Sequence, residues 1–179
     1  MDVNIINCQG ETYTPAADLT TSKLLLNSVI STNGAVFICI NLSNFYLITL
    51  FNKKSDYEYV WIPEWVIPED TMKEYNLKPL IQNYCFLAEC RICIYGLPQA
   101  GLFTYIKLVK QISDDFYFPT GHTPGLFIHL TQSTTFNIVV DEFGTKIIGK
   151  HNADHLINTF KNITTLLLIG MVKFSVELS

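Results

Sequence analysis

The segment Phe136-Asn137-Ile138-Val139-Val140-Asp141-Glu142-Phe143-Gly144, followed by Thr145-Lys146-Ile147-Ile148-Gly149, constrains the chain more than any other stretch. Phe136, Ile138 and Val140 alternate onto one face, and a second short apolar run follows two adjacent acids. This pattern predicts a β-hairpin over 134–149 that carries its carboxylates in the turn region, with Gly144 as the residue free to take positive φ. Two neighbouring carboxylates repel each other unless water solvates them or a cation sits there. The hairpin is therefore either a solvated turn or the acidic part of a cation site, and the choice rests on the other motifs.

With 179 residues, 49% of them hydrophobic, the chain has one domain's worth of material and enough for a core. Charged residues are scarce at 16% and aromatics abundant at 13%, so some faces are expected to meet a partner. The net charge of -4 and the single arginine, Arg91, oppose a self-sufficient nucleic-acid binder, because phosphate affinity is mostly cationic contact. Met1-Asp2-Val3-Asn4 lacks the basic start and apolar core of a signal peptide. Of the two greasiest runs, Ala35 to Phe51 is interrupted by Asn41, Ser43 and Asn44, and Ile163 to Val172 is too short to span a bilayer. The expectation is an intracellular protein, cytoplasmic or nuclear, with no membrane partner.

The order of elements is expected to be α+β rather than regular βαβ repetition. Asp18 caps a helix through Ile30 that Asn33-Gly34 stops, and Ala35 to Ile40 follows as a buried strand. Tyr57 to Ile62 is extended up to Pro63, and Pro68-Glu69-Asp70 opens a short helix through Tyr75. Phe86 to Ile94 is strand-like, and Gly96-Leu97-Pro98-Gln99-Ala100-Gly101 leads into a helix from Leu102 to about Ser113. A strand at Gly125 to Leu130 precedes the acidic hairpin, Asn152 to Phe160 forms the last helix, and two short apolar strands close the chain.

Two metal-like patterns carry less weight. Cys85, Cys90 and Cys93 open a plant-type iron–sulfur spacing, but no fourth cysteine follows, and free thiols are expected. A coloured preparation would be needed to revive the cluster. His151 and His155 stand four apart on a helix without a third ligand. The loop at 96–101 is more telling, because its small residues let backbone approach a ligand and Gln99 stands just before a helix.

Taken together, these motifs resemble the reverse transcriptase of long-terminal-repeat retrotransposons over nearly the whole chain. Tyr95-Gly96-Leu97-Pro98-Gln99-Ala100-Gly101 resembles the family's loop-to-helix motif on the nucleotide side, spanning 95–115 with its helix. His122-Thr123-Pro124-Gly125-Leu126 resembles the approach to the catalytic hairpin, and Val139-Val140-Asp141-Glu142-Phe143-Gly144 the hairpin itself. Ala153-Asp154-His155-Leu156 fits the palm helix after it, and Lys23 to Thr32 with Gly34-Ala35-Val36-Phe37 leads to the first catalytic strand, 35–50. The resemblance implies a single fingers/palm domain over 1–179. Its fold would be a right-hand polymerase palm, with a small antiparallel sheet, flanking helices and partial fingers; thumb and RNase H segments are not seen before Ser179.

By the same resemblance, the activity is template-directed DNA synthesis on a template-primer with deoxynucleoside triphosphates. Magnesium or manganese would be held by Asp141 and Glu142, and Gln99, Tyr46 and Phe45 would shape the nucleotide pocket. In-line phosphoryl transfer assisted by two ions needs carboxylates from neighbouring strands. This chain departs from that pattern. Asn41 stands where the family's first aspartate belongs, and Glu142 stands in place of the last. A neutral amide is a poor magnesium ligand. Weakened ion binding and impaired catalysis are therefore expected, with a non-enzymatic interaction protein or remnant, one able to self-associate or bind a protein partner, as the alternative.

Overall fold

A computed structural model describes residues 12–163 and 166–173, the last stretch by its backbone alone. The fold is mixed α/β with four α-helices, a six-stranded antiparallel sheet and a separate two-stranded ribbon among these residues. The elements run α1 (Leu19–Ile30), β1 (Ala35–Leu42), β2 (Glu58–Pro63), α2 (Glu69–Glu74), β3 (Cys85–Cys90), α3 (Ala100–Ser113), β4 (Tyr117–Pro119), β5 (Leu126–His129), β6 (Thr134–Val139), β7 (Glu142–Ile148), α4 (Lys150–Lys161) and β8 (Leu166–Lys173).

The large sheet has the order β4-β5-β6-β7-β1-β8, and among the described residues β2 pairs with β3 alone. With the ribbon and β4–β5 set aside, β1, α3, β6, β7, α4 and β8 follow one another as a split βαβ motif. Its consequence is that β1, an apolar run buried on both flanks, lies between β7 and β8 and receives the acidic hairpin along one whole edge.

Strand period decides which residues meet which helices. Ile38, Ile40 and Leu42 of β1, Phe136 and Ile138 of β6 and Phe143 and Ile147 of β7 face Leu108 and Ile112 of α3 and Leu156 and Phe160 of α4. Phe136 is the hub: its ring stacks on Phe127 at 5.0 Å and also meets Phe143, Phe160 and Tyr117. The alternate residues turn to the opposite face, where α1 lies. There Asn137 Nδ2 donates to Ser22 Oγ at 2.6 Å, and Lys146 Nζ donates to Thr32 Oγ1 at 2.8 Å. Helix α1 starts as the sequence predicts, with Asp18 Oδ1 accepting from the Thr21 amide at 2.6 Å, and buries Leu25 and Val29 one turn apart.

Several elements differ from the sequence expectation. β1 ends at Leu42, short of residue 50, and the chain turns at once, with Asn44 at φ 56. β3 ends at Cys90 instead of reaching Ile94, because the chain there bridges back to residues 49–51: Cys93 N donates to Thr49 O at 2.8 Å and Phe51 N to Arg91 O at 3.0 Å. The three-residue β4 was invisible to patterning, being too short to show a period. One terminal strand, β8, is described; residues 174–179 lie outside the described residues. Gly144 does not supply a positive φ. It sits inside β7 opposite Cys39 and Asn137, where an added Cβ would come within 2.6 Å of Asn137 Oδ1 and 3.0 Å of the Phe37 ring.

Candidate functional site

The hairpin closes in two residues, Val140 and Asp141, between the paired Val139 and Glu142. Val140 takes φ 62 while Asp141 does not share the sign, the pattern of a tight turn with its left-handed residue first. Glycine is the usual occupant of that place, and a β-branched side chain there is strained. β1 holds the turn in position. Asn41 stands directly across from Glu142, and Leu42 N donates to the Asp141 carbonyl at 3.1 Å. The fold thus brings Asn41 beside the adjacent Asp141 and Glu142, which lie far from it in sequence.

On the other side of the turn, Tyr95 Oη donates to Asp141 Oδ2 at 3.4 Å. Its ring meets that of Tyr46 nearly edge-on, with centroids 4.6 Å apart and planes at 69°. Burial, and then the charge of Asp141, hold both phenols above their ordinary range. On the α1 face, burial and then the charge of Glu142 push the Cys39 thiol up. The ion pairs among the described residues, Lys73–Glu69 and Arg91–Glu89, lie elsewhere, so neither acid of the hairpin is matched by a lysine or arginine there.

A cleft of about 290 Å³ opens beside these groups, between the 94–101 loop, Tyr46 and Val140. Thr14 and Ala16 complete it. The segment carrying them is tied down by Ala17 N donating to Ile138 O at 2.8 Å, and it runs so close to α3 that a Cβ at Gly101 would collide with the Thr14 side chain and force it to shift. Of the pocket residues expected from sequence, Tyr46 faces this cleft. Phe45 is buried in the core, edge-on to Phe143 at 6.1 Å. Gln99 is buried, and its Nε2 donates to Oε1 of the buried Glu58 in β2, so it ties the loop to the ribbon. Tyr95 stood inside the quoted loop motif without a role; Thr14 and Ala16 carried no local signal, because only the fold brings them there.

Asn41 offers an amide oxygen and Asp141 and Glu142 two carboxylates, all hard donors. Oxygen donors of this kind suit a hard divalent ion, and a pair of ions would need carboxylates from both strands. Among the described residues no group of three or more His, Cys, Asp or Glu side chains gathers at any place. Cys39, Cys85, Cys90 and Cys93 are free thiols, and Cys8 lies outside the described residues. The two histidines of α4 diverge: His151 is exposed, and His155 Nδ1 lies 3.0 Å from the Tyr117 hydroxyl. No helix among the described residues is long and apolar enough to cross a membrane.

Compared with known proteins, the chain matches no family model, no curated protein and no solved structure.

Proposed function

We propose that this chain is a reverse-transcriptase-like palm with partial fingers, of retrotransposon ancestry, whose nucleotidyl-transfer site is degenerate. The observation that carries this reading is the pairing of Asn41 with Glu142 across β1 and β7, with Asp141 in the adjoining turn. A two-ion polymerase needs acids at these three places. The split βαβ order supports the reading, as does the cleft that the 94–101 loop shares with Tyr46 and the hairpin turn.

The chemistry follows from the donor set. A divalent ion, when bound, would neutralise phosphate oxygens; Asp141 would hold it, with Glu142 one methylene too long and Asn41 contributing only a dipole. Loss of the anionic ligand on β1 removes several kcal/mol of charge stabilisation from the transition state. At about 1.4 kcal/mol per tenfold, the rate falls roughly a thousandfold or more. Template-primer and nucleotide are the ligands of the ancestral site, and magnesium or manganese its ion.

Calorimetric titration with manganese, comparing the chain with Asn41→Asp and Asp141→Ala, tests the reading. The chain itself is expected to show no appreciable site, Asn41→Asp a measurable one, and Asp141→Ala none. Tight binding by the unaltered chain that Asp141→Ala abolishes would overturn the impairment, and primer extension would be the next assay. Absence of binding in both the chain and Asn41→Asp would favour the second reading, a non-enzymatic interaction protein. That reading has its own support in the ribbon, where Trp61 and Leu87 form an exposed cross-strand pair next to Tyr59.

A further inference from the structure

We propose that the cleft beside the hairpin turn is a binding site for an organic ammonium group, quaternary or protonated. The inference rests on the cleft itself and not on the polymerase ancestry proposed above. Three features point to this ligand. The first is the corner formed by Tyr46 and Tyr95, whose rings stand 4.6 Å apart at 69° and so present two nearly perpendicular walls. Ammonium groups are attracted to aromatic faces within about 6 Å of the ring centroid, and aromatic corners of this sort recognise methylated ammonium.

The second feature is the charge. Asp141 follows the lining residue Val140 and accepts from the phenol of Tyr95, another lining residue, and among the described residues no lysine or arginine forms an ion pair with it. The third is the lining. Gly96, Leu97, Pro98, Gly101 and Val140 supply small and apolar surface, and among the described residues no lysine, arginine or histidine lines the cleft. Lys107 of α3 is committed to the Ile48 carbonyl. At about 290 Å³ the cleft is at the lower end of the size range of small-molecule sites and suits a headgroup rather than a whole nucleotide.

The ammonium has two sources, a free small amine or a lysine side chain of a partner polypeptide. The test titrates the ¹⁵N-labelled chain by NMR with choline, with its uncharged carbon isostere 3,3-dimethylbutan-1-ol, and with a short peptide containing trimethyllysine. Choline is expected to shift the Gly96, Gly101 and Val140 amides saturably, with a dissociation constant in the millimolar range. The isostere should bind at least about fivefold more weakly, because it forfeits cation–π and carboxylate attraction. Asp141→Asn and Tyr95→Leu, both at solvent-accessible positions, should each weaken choline by a similar factor while leaving the amide spectrum away from the cleft unchanged. Tighter binding of the peptide than of choline assigns a polypeptide partner, and equal binding assigns a free headgroup. Equal binding of choline and its isostere, no saturable shift by either cation, or full affinity in Asp141→Asn would overturn the proposal. The manganese titration reads a different property, so failure here leaves that result standing, and the reverse also holds.

Discussion

At the level of single residues, the turn and the strand that follows it store opposite kinds of constraint. Val140 holds a left-handed backbone that costs about 1–3 kcal/mol for a residue of its type. Val140→Gly relieves that strain but gives the unfolded chain more freedom, a loss of up to about 1 kcal/mol. The balance is a modest stabilisation, read as a higher urea midpoint at unchanged slope. Gly144 is the reverse case. Its backbone is ordinary, but Asn137 Oδ1 accepts from its amide at 3.1 Å and the Phe37 ring closes over it. Gly144→Ala must displace both groups and is expected to destabilise by about 1–3 kcal/mol in the same experiment. A destabilised Val140→Gly would mean that the turn's positive φ is not strained.

Among the elements, the β5–β6 hairpin docks on α4 through a buried histidine. His129 Nδ1 accepts two backbone hydrogen bonds, from Thr131 N at 3.1 Å and Gln132 N at 2.9 Å, so the proton of the neutral ring belongs on Nε2. Tyr117 of β4 and His155 of α4 pack against its ring at 4.7 and 5.3 Å. Burial, then the charge of His155, lowers the His129 pKa, with Asp115 opposing. A second ring proton would have to enter at Nδ1 and displace both backbone donors. The sign follows from linkage: a depressed folded value means that the unfolded chain binds more protons as the solution is acidified. Stability is therefore fully present above the unfolded value near 6.5 and is lost as pH falls through the lower folded value. His129→Asn, which keeps an acceptor without titrating, is expected to flatten this acid limb of the urea midpoint. An unchanged pH profile in that variant would assign the effect to another group.

At the scale of the whole molecule, the two sheets differ in support. β1 has partners on both edges and a buried aromatic core on one face, whereas among the described residues β2 and β3 have only each other and leave Tyr59, Trp61 and Leu87 exposed. Amide hydrogen exchange is expected to open the ribbon at a lower free energy than β1, β6 and β7, which should exchange only with global unfolding. Equal protection of both would mean that the Gln99–Glu58 contact and the small cluster around Phe51 and Cys93 weld the ribbon into the main unit. The sequence alone determined much of this molecule. Period and punctuation located α1, β1, β2, α2, α3, the acidic hairpin and α4, since those signals are local and strong. The grouping of Asn41 with Asp141 and Glu142 was also legible, through the family resemblance. What only the tertiary structure decided are properties that depend on which surfaces meet. It buried Phe45 and Gln99 away from the cleft, set Tyr95 against Asp141, brought Thr14 across from the chain's start, and moved the left-handed turn residue from Gly144 to Val140. Local patterns encode which way a side chain alternates, but the neighbours it meets depend on long-range register, and a register is chosen only when the whole sheet closes.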